Sequence, residues 1–193
     1  MMKTTLTTTI MTGLLAIGSF AQSPSDQTGD TKLIADFTTA ESSMRWQTVN
    51  DSVMGGISQG DSFVTEGSTL LFKGDISLKN NGGFSSIRSR GSSYDLSAYK
   101  GIQLRVKGDG RKYYFTSRAR GGRMLAFWSP IQTTKGEWTT IKVPLSSFYA
   151  TSFGRKIPSV KLDTKNIKSL GFMLYDKKSG SFQLEVDEIK AYK

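Results

Sequence analysis

The chain of 193 residues has no cysteine and no histidine. Disulfides, thiol catalysis, Ser-His-Asp triads and zinc sites of the usual ligand types are therefore excluded. Two routes to chemistry survive: acid–base work by carboxylates, and metal binding through oxygen ligands. No long 3.6-residue hydrophobic period is present, so no major helix is expected. The apolar stretch from Leu6 to Ile17 is too short and too rich in threonine to span a bilayer stably. Negative charge is also scarce: 26 lysines and arginines face 16 acids, a formal net charge of +10.

What is present begins with a leader. Met1-Met2-Lys3 supplies a positive start, Leu6 to Ile17 is apolar or small, and Ser19-Phe20-Ala21 offers small residues where a signal peptidase cuts. Residues 1–21 therefore read as a signal peptide, with an uncleaved anchor as the alternative, and residues 22–32 as a disordered lead-in. The expected location is exported, periplasmic or secreted, since a cysteine-free mature chain suits a bacterial periplasm. Residues 33–193 are one domain's worth of sequence, long enough to bury a full core without staples.

Within that domain, short alternating or β-branched runs are separated by Gly, Asn, Asp and Ser. Strands are expected over Leu33 to Phe37, Thr69 to Phe72, Phe84 to Ser89, Ile102 to Val106, Tyr113 to Arg118, Met124 to Trp128, Thr139 to Val143, Ser169 to Tyr175 and Phe182 to Val186. Asp109-Gly110 reads as a hairpin turn leading into Tyr113 to Arg118. Helix is expected only as single turns, at Pro144 to Phe148 and at Ser93 to Tyr99. About nine short strands with glycine-rich turns indicate an all-β class, a β-sandwich or jelly roll.

Two segments are unusual for such a domain. Trp46 to Ser58 carries Val49-Asn50-Asp51-Ser52-Val53-Met54-Gly55-Gly56-Ile57-Ser58, and a second run reads Gly82-Gly83-Phe84-Ser85-Ser86-Ile87-Arg88. Together with Val106-Lys107-Gly108-Asp109-Gly110-Arg111, Val143-Pro144-Leu145-Ser146-Ser147-Phe148 and Phe182 to Ile189, they resemble the complex I intermediate-associated protein 30 family over nearly all of Leu33 to Tyr192. The resemblance implies a galactose-binding-like jelly roll, the architecture of many carbohydrate-binding modules. It also implies a role. Mitochondrial members assist assembly of respiratory complex I as chaperone-like factors rather than enzymes, and a chloroplast relative is linked to RNA binding and translation. The expectation is thus a non-enzymatic, protein-interaction or assembly-assisting module without a cofactor. Its expected partner is another protein, in an envelope or membrane complex. A carbohydrate-binding module is the alternative and a basic polyanion-binding protein the third reading; nucleic acid is not an expected partner.

Several residues are candidates for a site. Asn50 and Asp51 present short oxygen-bearing side chains that suit a sugar or a cation such as calcium, or that close an Asx-turn on the chain's own backbone; the sequence leaves metal binding open. Arg88 can grip a carboxylate or phosphate bidentately with Arg118 beside it, or pair internally with Asp51, Asp109 or Asp187. Trp128 is the aromatic best suited to an exposed stacking role, whereas Trp46, beside Met54, and Trp138 read as core. Gly108-Asp109-Gly110 has no following helix, so a turn is preferred over a phosphate loop. Glu185 and Asp187 share a face, but Glu185 reads as solvated on an edge-like strand, so no glycosidase pair is expected. Arg105 to Arg123 holds seven basic residues against Asp109, and Arg155 to Lys178 seven more against Asp163 and Asp176. Such a field attracts anionic surfaces or simply maintains solubility.

Overall fold

The computed structural model describes residues 30–38, 45–91, 93–119 and 125–193, so the expected leader and most of the lead-in lie outside the described residues. Thirteen strands follow one another: β1 (Thr31–Ala35), β2 (Arg45–Asn50), β3 (Gln59–Val64), β4 (Leu70–Ile76), β5 (Ser85–Arg90), β6 (Gly101–Lys107), β7 (Lys112–Ala119), β8 (Ala126–Gln132), β9 (Trp138–Pro144), β10 (Tyr149–Ser152), β11 (Arg155–Lys156), β12 (Ile167–Leu174) and β13 (Gly180–Tyr192). Short 3-10 turns at Asp51–Met54, Lys79–Asn81 and Leu145–Ser147 are the helical segments among the described residues.

The strands build a jelly-roll sandwich of two antiparallel sheets. One runs β3-β4-β13-β6-β9, with β1 also on β13; the other runs β11-β10-β8-β7-β12-β5-β2. Period-two patterning sets which side chains meet between them. On β6, Ile102, Leu104 and Val106 are buried while Gln103, Arg105 and Lys107 look outward. On β7, Tyr113, Phe115 and Ser117 point in, leaving Tyr114, Thr116 and Arg118 on the outside. Aromatic contacts lock the interior, with Phe72 edge-on to Phe182 at 4.8 Å and Phe115 against Phe172 at 5.2 Å. Each such buried ring contributes about 1.5–3 kcal/mol relative to exposure.

Several expectations are corrected here. Asp109-Gly110 is not a hairpin turn: β6 pairs with β13 and β9, whereas β7 pairs with β12 and β8. The turn instead carries the chain from one sheet to the other. Asp109 makes the corner, accepting from Arg111 N at 2.9 Å, Gln183 N at 2.9 Å and the Tyr113 hydroxyl at 3.0 Å. Strand β13 is not edge-like, because β4 and β1 pair along one side and β6 along the other. Glu185 on it is not simply solvated; it meets Lys107 Nζ at 2.5 Å and accepts from Thr69 Oγ1 at 2.8 Å. Ser93 to Tyr99 holds a single turn but no helix: Tyr94 bridges to Ile167, Asp95 caps Ser97, and Tyr99 N closes onto Leu96 O at 3.0 Å. Trp138 is not core. It stands exposed on edge strand β9 under Arg105 and Lys107, each 4.8 Å from its ring.

Candidate functional site

Asn50 and Asp51 close one end of the sandwich. Asn50 ends β2, at the edge of the seven-stranded sheet, and its side-chain amide pairs with Gly60 on β3, at the edge of the other sheet. Nδ2 donates to Gly60 O at 3.1 Å and Oδ1 accepts from Gly60 N at 3.1 Å and from Ser85 Oγ at 2.6 Å. A side chain here does the work of a strand partner. Asp51 is fully buried and accepts four hydrogen bonds: from Ser58 N (2.9 Å), Ser58 Oγ (2.5 Å), Gly83 N (2.6 Å) and Phe84 N (3.2 Å). Burial alone would raise its pKa, but the Ser58 hydroxyl and the backbone N–H groups of Gly83, Ser58 and Phe84 outweigh that and hold it below the ordinary value. The glycines of both motifs follow from this carboxylate. A Cβ at Gly56 or Gly82 would collide with it, while the positive φ of the turn falls on Gly55.

The remaining candidates meet elsewhere, on the outer face of the seven-stranded sheet. Cross-strand register places Gln47, Arg88, Gly171, Thr116, Trp128 and Tyr149 in one row running from β2 to β10. Arg118, opposite Ser169, lies one position diagonally from Gly171. At Gly171, between Arg88 and Thr116 in this row, an added Cβ would meet the Ile87 carbonyl and the Thr116 hydroxyl. Arg88 donates through Nε and Nη2 to Gln47 Oε1 at 3.3 and 3.2 Å. The internal acids proposed for it are engaged elsewhere: Asp51 in the clamp, Asp109 at the corner and Asp187 by Arg105.

The electrostatics of this face are cationic. Burial, followed by the like charge of Arg90, lowers the pKa of Arg88 from its ordinary value. Burial, followed by Arg88, does the same to Arg118, whose Nη1 reaches Leu125 O at 3.4 Å. Beside them stands an aromatic bank that the sequence reading did not assemble. Trp128 packs on Tyr114 at 5.3 Å and on Tyr175 at 5.9 Å. Tyr149 is pushed up to about 12 by burial and by the neighbouring Tyr114 hydroxyl. Lys156 lies over Tyr149 at 4.3 Å and Lys177 over Tyr175 at 3.8 Å. The signal for Tyr114 was available, since it alternates with buried Tyr113 and Phe115 on a recognised strand. Tyr149 lies on a four-residue strand too short to detect. Trp46 packs between Phe37 and Phe172, at 6.1 and 6.2 Å, while Met54 is exposed.

The first basic stretch is divided between the sheets: Arg118 shares the outer face with Lys156 and Lys177 of the second stretch, while other members lie elsewhere. Arg105 and Lys107 pair with Asp187 and Glu185 on the opposite sheet. Arg111 forks onto Asp176 at 2.9 and 2.7 Å and caps the Gly180 and Ser181 carbonyls.

Residues 35–186 match the family model of complex I intermediate-associated protein 30. The chain belongs to this family. The mouse mitochondrial protein of that name is 36% identical over 107 residues, covering 52% of this chain and 32% of the mouse protein. The Drosophila melanogaster mitochondrial protein is 26% identical over 186 residues, covering 83% and 62%. The chain thus spans less than two-thirds of either relative. These two, and relatives from Caenorhabditis elegans and Neurospora crassa, are all named as mitochondrial. That overturns the expected exported, periplasmic or secreted location and the bacterial signal peptide on which it rested. An acid-free leader rich in hydroxyl residues is ambiguous between secretory and organellar addresses.

Among solved structures, the family 11 carbohydrate-binding module of Lic26A-Cel5E from Clostridium thermocellum superposes with a TM-score of 0.64 at 21% identity, covering 84% of this chain and 94% of that module. The same family's module in complex with a β-1,3-1,4-mixed-linked tetrasaccharide gives 0.62 at 21% identity, covering 84% and 95%. This likeness establishes the fold, a galactose-binding-like jelly roll.

Proposed function

We propose that the chain is a non-enzymatic docking module that holds a protein client during assembly of a larger complex, on the outer face of the seven-stranded sheet. One observation carries the reading: Arg88 and Arg118 share that face with Trp128, Tyr114 and Tyr149, and burial and the like charge of Arg90 disfavour the Arg88 cation. Arginine, tryptophan and tyrosine are the side chains that dominate binding energy at protein interfaces. A cation disfavoured by burial and like charge gains from an incoming carboxylate, which an arginine fork takes bidentately. The relatives' names refer to intermediates of complex I, which makes such an intermediate the proposed class of client. Asp51, Asp109, Asp176 and Glu185 are tied into internal hydrogen bonds, which favours a binding role over acid–base catalysis.

A photo-crosslinking residue at Tyr114, introduced in the source organism, tests this. Crosslinks to one complex I subunit, lost on Arg88→Glu, are expected; crosslinks scattered over abundant proteins would oppose the reading. The aromatic bank also supports a second reading, carbohydrate binding, because stacked rings beside hydrogen-bonding side chains are what a sugar site needs. Calorimetric titration with a neutral β-glucan tetrasaccharide separates the two. Salt-insensitive binding removed by Trp128→Ala and untouched by Arg118→Gln would favour the sugar.

A further inference from the structure

The clamp accounts for the polar half of the signature but not for its apolar half. Val53 is 70% exposed and Met54 58%, both in the turn between Asp51 and Gly55, and Ile57 just beyond is half-exposed. Leu78 joins them. Ser77 N donates to Ser58 Oγ at 3.0 Å, so Ile57 and Leu78 flank one junction. This backbone is held, not frayed. Asp51 binds it from beneath, and Gly55 N and Gly56 N close onto Ser52 O and Asp51 O at 3.2 and 3.0 Å. A rigid tip therefore keeps large apolar side chains in water, which marks a surface built to be covered.

The charges around the tip indicate what covers it. Lys79 follows Leu78, and Leu78 N donates to Ser179 Oγ at 3.3 Å, bringing the neighbouring Lys178 to the same corner. Asp75 is the acid nearby in sequence, while Asp176 is taken by Arg111. An exposed apolar surface flanked by lysines fits an anionic bilayer: the apolar side chains enter the headgroup layer and the ammonium groups meet lipid phosphates. No helix among the described residues is long and apolar enough to cross a membrane. We propose that Val53, Met54, Ile57 and Leu78, with Lys79 and Lys178, form a contact for an anionic lipid surface. This goes beyond the docking reading and does not depend on it.

The chain has no cysteine, so single labelling sites are unique. An environment-sensitive dye is attached to Met54→Cys, and as a control to Phe153→Cys, which is 74% exposed on the β10–β11 connection at the opposite edge of the sheet. Mixed phosphatidylcholine–phosphatidylglycerol vesicles should blue-shift the dye at position 54 and leave that at 153 unchanged; phosphatidylcholine alone should do neither. In co-sedimentation, the pair Val53→Asp and Met54→Asp should weaken vesicle binding roughly tenfold or more with an unchanged melting temperature. Lys79→Gln with Lys178→Gln should weaken binding and flatten its salt dependence. Absence of vesicle binding would overturn the proposal. So would binding that both dyes report equally, binding indifferent to the aspartates, or capture of a protein client by the tip without any vesicle binding. Failure of the parent chain to form Tyr114 crosslinks to a complex I subunit, with vesicle binding intact, would count against the docking reading alone.

Discussion

Asp51 shows how a motif can be visible in a sequence while its purpose is not. Its four donors come from Ser58, Gly83 and Phe84, seven to 33 residues away, and no spacing rule joins them. All four are donors, so Asp51→Asn would place an amide NH2 against N–H groups and discard the charge. We expect a loss of about 3 kcal/mol, which for a domain of this size lowers the melting temperature by roughly 6–12 °C. The pH dependence has a definite sign. Asp51 and Glu185 both have folded-state values below their ordinary ones. Their contribution is therefore complete above the unfolded value of about 4 and is lost as pH falls through the folded values. Urea midpoints measured down the acid limb should fall less steeply in Asp51→Asn than in the parent chain. Arg111 is the second such residue. Its buried fork onto Asp176 ties the Asp176–Ser181 turn to the sheet-switching corner, and Arg111→Ala should cost about 3–5 kcal/mol by leaving that carboxylate uncompensated. An Arg111→Ala midpoint within error of the parent's would contradict this.

Among the elements, strands with clean apolar alternation were legible: β6 and β7 are found close to where the residues place them. Strand β2 was not, because its core-facing side carries Trp46, Thr48 and Asn50, and the two polar residues mask the period. Strand β3 reads Gln-Gly-Asp-Ser-Phe-Val and leaves Phe63 and Val64 exposed, so no buried face appears in its sequence. Asp109-Gly110 has correct turn chemistry but encodes no partner; whether a turn pairs its flanking strands or crosses between sheets depends on contacts with β13 and β12. The outer-face row is a property of register, invisible until five strand pairings are known. Within β12, Gly171→Val should destabilise by about 2 kcal/mol or more, since the added carbon meets the Ile87 carbonyl across the ladder. Thermal unfolding measures this, and an unchanged midpoint would show that the neighbouring strand yields.

For the molecule as a whole, the Asp51 clamp of the family signature and the proposed docking face are separate, although the second signature run ends at Arg88 on that face. The signature holds the sandwich shut at the β2–β3 end, while the arginines and aromatic rings lie across the seven-stranded sheet. The two should then respond differently to substitution. Clamp variants should lose stability first and client binding only as a consequence. Variants of the outer face, where the strands are already paired through their backbones, should lose the client while staying folded. The direct test is affinity for the crosslinked client, measured beside the melting temperature, for the double variant Arg88→Glu with Trp128→Ala. A fall in affinity of roughly a hundredfold, as for removal of two hot-spot side chains, with a melting temperature within a few degrees of the parent's, is the predicted result. Client binding retained at full strength by a folded double variant would contradict the account.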